Sequence, residues 1–174
     1  MDKSTKYYSS RQERMIADYL GWSVVSGSGA RAFNPGDVRS ADFLGECKTF
    51  TEPSDTIFCY HRVWTKICDE ATSIMRCPVL FVDNGTQLAR NTWCVVPQTI
   101  VDTIPNMYIF DKSIAESALR ISKTRISFSH TIMRLRFNLG QYDDVRFAAL
   151  PFTLANQPVS LILLGTLKYI ISTP

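Results

Sequence analysis

Apolar positions recur along this chain at two different spacings, and the changes of spacing mark its elements. Met15, Ile16, Tyr19 and Leu20 fall at helical intervals behind Ser10-Arg-Gln-Glu13, which reads as a capping box, and Gly21 is a natural stop. Residues 22–25 read as a short strand, followed by the loop Ser26-Gly-Ser-Gly29, whose glycines let backbone approach another group closely. Asn34-Pro-Gly36 is a turn, and residues 37–39 and 42–50 read as two strands joined tightly around Ser40. Beyond Pro53-Ser54, the stripe Ile57, Tyr60, Trp64, Ile67, Ala71 and Met75 predicts a helix. Residues 79–82 predict a strand that stops at the turn signal Asp83-Asn-Gly85. Residues 91–96 predict another, with Pro97 opening a short helix to Ile104 and Ser113 capping a helix through Leu119. Ile126, Phe128, Met133, Leu135 and Phe137 alternate, which predicts strands across 121–137, and residues 145–150 and 159–164 predict two more.

This order predicts an α/β fold, a central mixed sheet flanked by helices with a β-rich C-terminal extension. A chain of 174 residues suits one domain, 1–174, with a core over about residues 10–110 and the extension over about 111–174. With 45% hydrophobic and 20% charged residues it can bury a full core without covalent staples. The net charge of +3 permits a polyanionic partner without demanding one. Five cysteines, with no Cys-x-x-Cys pair, and two histidines argue against a disulfide framework and a Cys/His zinc site. The thiols, Cys47 above all, read as small core groups, and His61 and His130 as structural or surface residues. Residues 1–13 are polar and show no signal peptide, and the apolar stretch 161–171, broken by Lys168, is too short to span a bilayer. The expectation is a soluble protein without a membrane partner, located in the cytoplasm, or in the host cytoplasm if the protein is viral.

The candidate chemistry lies in Gly36-Asp-Val-Arg-Ser-Ala-Asp-Phe-Leu-Gly-Glu-Cys-Lys48. Residues two apart in a strand share a face, so Glu46 and Lys48 point one way and Cys47 points the other, with Phe43. Asp37, on the neighbouring strand, could reach Glu46; Asp42 lies on the Glu46 face by the same parity and is its rival. Two adjacent carboxylates repel at neutral pH, and a divalent cation relieves the repulsion. Hard oxygen donors favour Mg²⁺, which takes one or two protein carboxylates, can acidify a water and can neutralise a phosphate. Lys48 could orient that water or stabilise charge developing on phosphorus. Such a set suits phosphodiester hydrolysis.

Pro-Gly-Asp37 followed by Glu46-Cys-Lys48 resembles the signature of the PD-(D/E)XK nucleases, with Gly36 where the name has proline. The order Ser-x-x-Glu13, Ser-Gly-Ser-Gly-Ala30, Gly-Asp-Val38 and Glu-Cys-Lys-Thr49 is similar to the Holliday junction resolvases of archaea and phages. Trp64-Thr-Lys66 and Pro78-Val-Leu-Phe-Val82 extend the likeness, which covers about residues 10–96. The resemblance implies a restriction-endonuclease-like core and a Mg²⁺-dependent DNA endonuclease, Mn²⁺ substituting, acting in DNA recombination on branched DNA. It implies that Asp37 and Glu46 bind the metal, that Glu13 reaches it directly or through water, and that the Cys47 backbone carbonyl is a further ligand. Lys48 then assists the water. It also implies a homodimer, because a four-way junction offers two symmetric scissile phosphates. Arg11, Ser26, Ser28, Arg31 and Lys66 are the candidate nucleic-acid contacts.

Each residue also has a plainer reading. Glu13 closes the capping box, Asp37 follows a Pro-Gly turn, and Glu46 and Lys48 form a solvated ion pair. Arg120, Lys123, Arg125, Arg134 and Arg136, with no acid among residues 121–137, form either a phosphate-contacting face or a solvated one. The apolar tail, 159–171, is either a core strand or a subunit interface. The same site would also serve a restriction-like or nicking enzyme on linear duplex, or an RNA substrate, and the same fold could serve a non-catalytic nucleic-acid-binding protein.

Overall fold

Val79, Leu80, Phe81 and Val82 are apolar without alternation, the mark of a strand covered on both faces. They form the middle of the protein. The computed structural model describes residues 4–26, 34–139 and 147–173. Its first half comprises α1 (Thr5–Leu20), β1 (Ser23–Val24), β2 (Val38–Arg39), β3 (Phe43–Lys48), β4 (Thr56–Tyr60), α2 (His61–Ser73), β5 (Cys77–Asp83) and β6 (Thr92–Pro97). The second comprises α3 (Gln98–Asp102), β7 (Tyr108–Ile109), α4 (Lys112–Ala118), β8 (Leu119–Ile121), β9 (Arg125–Ser129), α5 (His130–Leu139), β10 (Ala148–Leu154), β11 (Gln157–Leu163) and α6 (Leu164–Ser172).

The fold is α/β, with a mixed central sheet flanked by helices. Among the described residues the sheet has eight strands in the order β1-β2-β3-β5-β6-β11-β10-β7. β3 pairs with β5, and β10 with β7, in parallel; the remaining neighbours are antiparallel. α2 makes the crossover that a parallel β3–β5 pair requires. The segment after residue 111 supplies β10 and β11, which join this sheet through β6, together with β8 and β9, which join β4 in a separate three-stranded sheet.

Alternation along the strands divides the core in two. Leu44, Leu80, Val82, Trp93, Val95 and Leu161 face one side, where Trp64, Ile67 and Ala71 of α2, Met133 and Phe137 of α5, and the inner residues of the three-stranded sheet pack on them. Cys47, Val79, Phe81, Cys94, Val96 and Ile162 face the other, against Ile16, Ala17 and Leu20 of α1, Val101 of α3 and Leu167 of α6. Cys47, Cys59 and Cys94 are buried, and all five cysteines are free thiols. Among the described residues, no helix is long and apolar enough to cross a membrane.

Several expected elements are revised. α1 begins at Thr5, behind Ser4, so Ser10-Arg-Gln-Glu13 lies inside the helix and caps nothing; Gly21 does end it, in the left-handed conformation (φ 74°) that glycine tolerates. The stripe from Ile57 to Met75 is two elements. Ile57 and Tyr60 belong to β4, α2 starts at His61, and Met75 lies beyond the helix and is 94% exposed. The cap of α4 is Asp111, whose carboxylate accepts from the Ser113 amide, and Pro97 precedes α3 as its cap. Residues 130–139 are helical: Met133 and Phe137 are buried four residues apart while Leu135 between them is exposed. The apolar tail is a core strand followed by α6.

His130 has a structural partner, since Trp93 Nε1 donates to its Nδ1 at 3.0 Å. Burial, and then the charge of Arg134, hold its pKa below the ordinary 6.5, with Asp55 opposing. A depressed histidine contributes stability that is present above its unfolded value and lost as pH falls through the folded one. Urea stability is therefore expected to decline as pH drops below 6.5, and His130→Gln to flatten that part of the profile. Parallel profiles for the two proteins would contradict this.

Candidate active site

The site forms where a short strand leaves a longer one. β2 pairs with β3 only at Gly45 and Leu44, so Glu46, Cys47 and Lys48 have β5 on one side and no β2 residue on the other. Asp37, one residue before β2, fills this place. Its amide donates to Gly45 O at 2.8 Å and its Oδ2 accepts from the Cys47 amide at 2.8 Å. A carboxylate thus takes the N–H that a strand partner would have used. Gly45 is what allows β2 and Phe81 to come so close: a methyl group there would sit 2.8 Å from Val38 Cγ2 and closer still to the Phe81 ring.

Glu46 and Lys48 share the α2 face, as their parity requires. Lys48 Nζ donates to Glu46 Oε1 at 2.6 Å, and to the Cys47 carbonyl at 3.2 Å. Lys66, on α2, donates to Glu46 Oε2 at 3.1 Å and pairs with Glu70 at 3.6 Å, one turn along. Both oxygens of Glu46 are therefore engaged by ammoniums, and its side chain is only 7% exposed. Glu70 Oε2 also accepts from the Gly36 amide at 3.2 Å, which ties the turn before Asp37 to α2.

Glu13 enters from α1, on the opposite face of the sheet. Burial, then the charges of Asp37 and Glu46, push its carboxyl above the ordinary range, with Lys48 opposing. Burial alone would lower Lys66; Glu46, Glu70 and Asp37 outweigh it and raise its pKa. Four carboxylates, Glu13, Asp37, Glu46 and Glu70, thus share two ammoniums, Lys48 and Lys66. The site carries more negative than positive groups, which suits a cation. Among the described residues, no three His, Cys, Asp or Glu side chains are grouped to hold a metal by themselves. The donor chemistry fits Mg²⁺ in its usual protein environment, one or two carboxylates completed by water and substrate oxygens. Asp37 and Glu46 are the residues that would hold it.

Other sequence candidates are distributed differently. Asp42 is exposed just before β3, and Glu13 and Lys66 have Asp37 and Glu46, not Asp42, among their charged neighbours. Arg11 lies two residues from Glu13 on α1, about 200° round the axis, and faces away from the carboxylates. Ser26 is exposed, its carbonyl accepting from Asn34. Ser28 and Arg31 lie outside the described residues.

Three participants were not anticipated. Glu70 could have been found as the i+4 partner of Lys66. Gln12, fully buried, donates from Nε2 to the Lys48 carbonyl at 3.0 Å and joins α1 to the end of β3; a polar residue on the apolar face of a helix was its only signal. Asp83, at the end of β5, accepts from Thr49 Oγ1, from the Gly85 amide at 3.0 Å and from the Gln87 amide at 2.6 Å. Gln87 Nε2 in turn donates to Thr49 Oγ1 at 2.9 Å and to the Phe50 carbonyl at 3.2 Å. This network fixes the chain as it leaves Lys48. No family model, curated protein or solved structure matches the chain.

Two outcomes follow from this packing. Gly45→Ala is expected to lower stability to urea by about 1–3 kcal/mol, because both neighbours are buried; a change below about 0.5 kcal/mol would refute the close approach. Lys48→Met and Lys66→Met are each expected to cost little alone, since the other ammonium still serves Glu46. Together they should cost about 1 kcal/mol more than the sum. Additive losses would show that the two lysines do not share Glu46.

Proposed function

We propose that the protein is a divalent-metal-dependent endonuclease of the PD-(D/E)XK type that hydrolyses phosphodiester bonds in DNA. Branched DNA, such as a Holliday junction, is its preferred substrate. The observation that carries this reading is the near-buried Glu46 bonded to Lys48, with Asp37 anchored on the Cys47 amide between them. A merely solvated ion pair would not bury its carboxylate or share it with a second lysine from another element. The order along the chain also supports it: helix glutamate, turn, aspartate, then the Glu-Cys-Lys strand beside a helix.

In this reading Asp37 and Glu46 hold a Mg²⁺ or Mn²⁺ ion. Such an ion supplies charge neutralisation at the phosphate and acidifies a water. The Lys48 ammonium orients the water that attacks phosphorus and stabilises the charge that builds on the non-bridging oxygens. The attacking water releases a proton to solvent as its oxygen bonds phosphorus, the bond from phosphorus to the 3′-oxygen breaks, that oxygen takes a proton from solvent, and the product carries a 5′-phosphate. Lys66 balances the second oxygen of Glu46 and lies within reach of a phosphate. Glu13, pushed toward its neutral form by burial and then by the charges of Asp37 and Glu46, completes the carboxylate wall on the α1 side.

The test is cleavage of four-way junction, flap, nicked and linear DNA in Mg²⁺ and Mn²⁺ by wild type, Asp37→Asn, Glu46→Gln and Lys48→Ala. Wild type is expected to cut junctions in preference to linear duplex. Each variant should bind DNA yet cut about a hundredfold more slowly or worse. Wild-type protein that cuts no DNA in either metal would leave a non-catalytic binding protein as the better reading.

A further inference from the structure

The three-stranded sheet turns one face to the core and the other outward. In β4, Ile57 and Cys59 are fully buried, while Phe58 and Tyr60 alternate with them and belong to neither core cluster. In β9, Ile126 and Phe128 point inward, and Arg125, Ser127 and Ser129 outward. The register places Tyr60 opposite Arg125, Phe58 opposite Ser127, and Ser127 opposite Arg120 of β8. The outer face is therefore a small sheet of aromatic, hydroxyl and guanidinium groups. Arg125 Cζ lies 4.2 Å above the Phe58 ring and 5.9 Å from that of Tyr60.

The aromatic row continues toward the carboxylates. Phe50, two residues beyond Lys48, has its ring 6.0 Å from that of Phe58, which is 6.1 Å from that of Tyr60. The charge along β8 and β9 has one sign. Residues 119–129 contain Arg120, Lys123 and Arg125 and no acid. Among the described residues no carboxylate pairs with any of the three. Asp55, at the far end, is already bonded by the Ser129 hydroxyl at 2.6 Å and the Thr131 amide at 2.8 Å.

We infer that this face binds an unpaired DNA strand, its bases stacking on Tyr60, Phe50 and the Arg125 guanidinium plane while Arg120 and Lys123 meet phosphates. Cations without acids match a polyanion, and aromatic rings in a row match bases that are not stacked within a duplex. A duplex offers its bases only at groove edges, so the face selects unpaired nucleotides. Because Phe50 follows Lys48 by two residues, the face favours, among branched DNAs, those that expose unpaired nucleotides at the branch point beside the scissile phosphate; that step rests on the nuclease reading, whereas the binding does not.

The experiment is fluorescence anisotropy in EDTA with a labelled oligothymidylate of about fifteen nucleotides and a blunt duplex of equal length. Wild type is expected to bind the single strand more tightly. Tyr60→Ala and Arg125→Ala should each weaken single-strand binding about tenfold and leave duplex binding within about twofold of wild type. Tyr60→Phe should retain single-strand binding. Tyr60→Trp adds a reporter on a folded protein, and its emission should be quenched by oligothymidylate and not by duplex. The inference is overturned if wild type prefers duplex, if Tyr60→Ala and Arg125→Ala bind single strand as wild type does, or if the Tyr60→Trp emission is unmoved by saturating oligothymidylate. Cutting in Mg²⁺ that is unaffected by Glu46→Gln, with the Tyr60 losses intact, would sink the nuclease reading alone. Glu46-dependent cutting with no Tyr60 effect on binding would sink this inference alone.

Discussion

Glu46 has to be neutralised, because a carboxylate shut away from water is costly unless it is paired. Its two oxygens draw one ammonium from its own strand and one from α2, and the rest of the candidate site is arranged around that need. A cluster in which the carboxylate is buried and both lysines are half exposed is poor evidence for stability, since desolvation of Glu46 offsets the attraction. The apolar packing on both faces of the central sheet carries the fold. The cluster is a local conflict held in place by that packing, which is what the proposed catalytic role would require.

The backbone makes room for this conflict in one place. β2 is two residues long, and where it ends β3 keeps an open edge for the stretch that carries Glu46 and Lys48. Asp37 closes part of that edge with its side chain instead of its backbone. α1 and α2 lie on opposite faces of the sheet, so Glu13 and Lys66 approach the same strand end from two sides. Gln12 and Glu70 then tie each helix to the segment it serves, one to the Lys48 carbonyl and the other to the Gly36 amide. Side chains brought from four elements onto a rigid sheet edge can hold a reacting group to a fraction of an ångström, which loops alone do not achieve.

What could be read in advance was what depends on neighbours in sequence. The common face of Glu46 and Lys48 follows from strand parity, and Cys47 and Phe43 on the other face follow with it. The second sheet was hidden because Ile57 and Tyr60 stand three apart and Tyr60 and Trp64 four apart, an interval that a helix also produces. The β-branched and aromatic content of Thr56–Tyr60 was the contrary signal. Met133, Leu135 and Phe137 alternate on paper, but the buried pair is the one spaced by four residues. The start of α1 was misplaced because Thr5, Lys6, Tyr7 and Tyr8 carry no apolar period, whereas Ser10 and Glu13 imitate a cap. Lys66 on Glu46, and the Asp83–Thr49–Gln87 network, join residues 20 or more apart, and no local rule reaches that far.

The path from Lys48 to α2 gives the two outward features a common frame. The chain does not pass directly from β3 into the crossover helix; it first runs through β4, whose outer face carries the aromatic row. The corner between them is fixed at Thr49 and Phe50 by buried Asp83 and Gln87. A strand bound on that face would be held at a set distance from the carboxylates, and binding energy gathered there would be available to position the phosphate. Rigidity in this corner matters more than affinity on the face, since a strand that binds tightly but moves relative to Glu46 gains nothing in rate. That is a physical reason for a protein of this size to place a buried carboxylate, Asp83, at the end of the strand beside the one that carries Glu46 and Lys48.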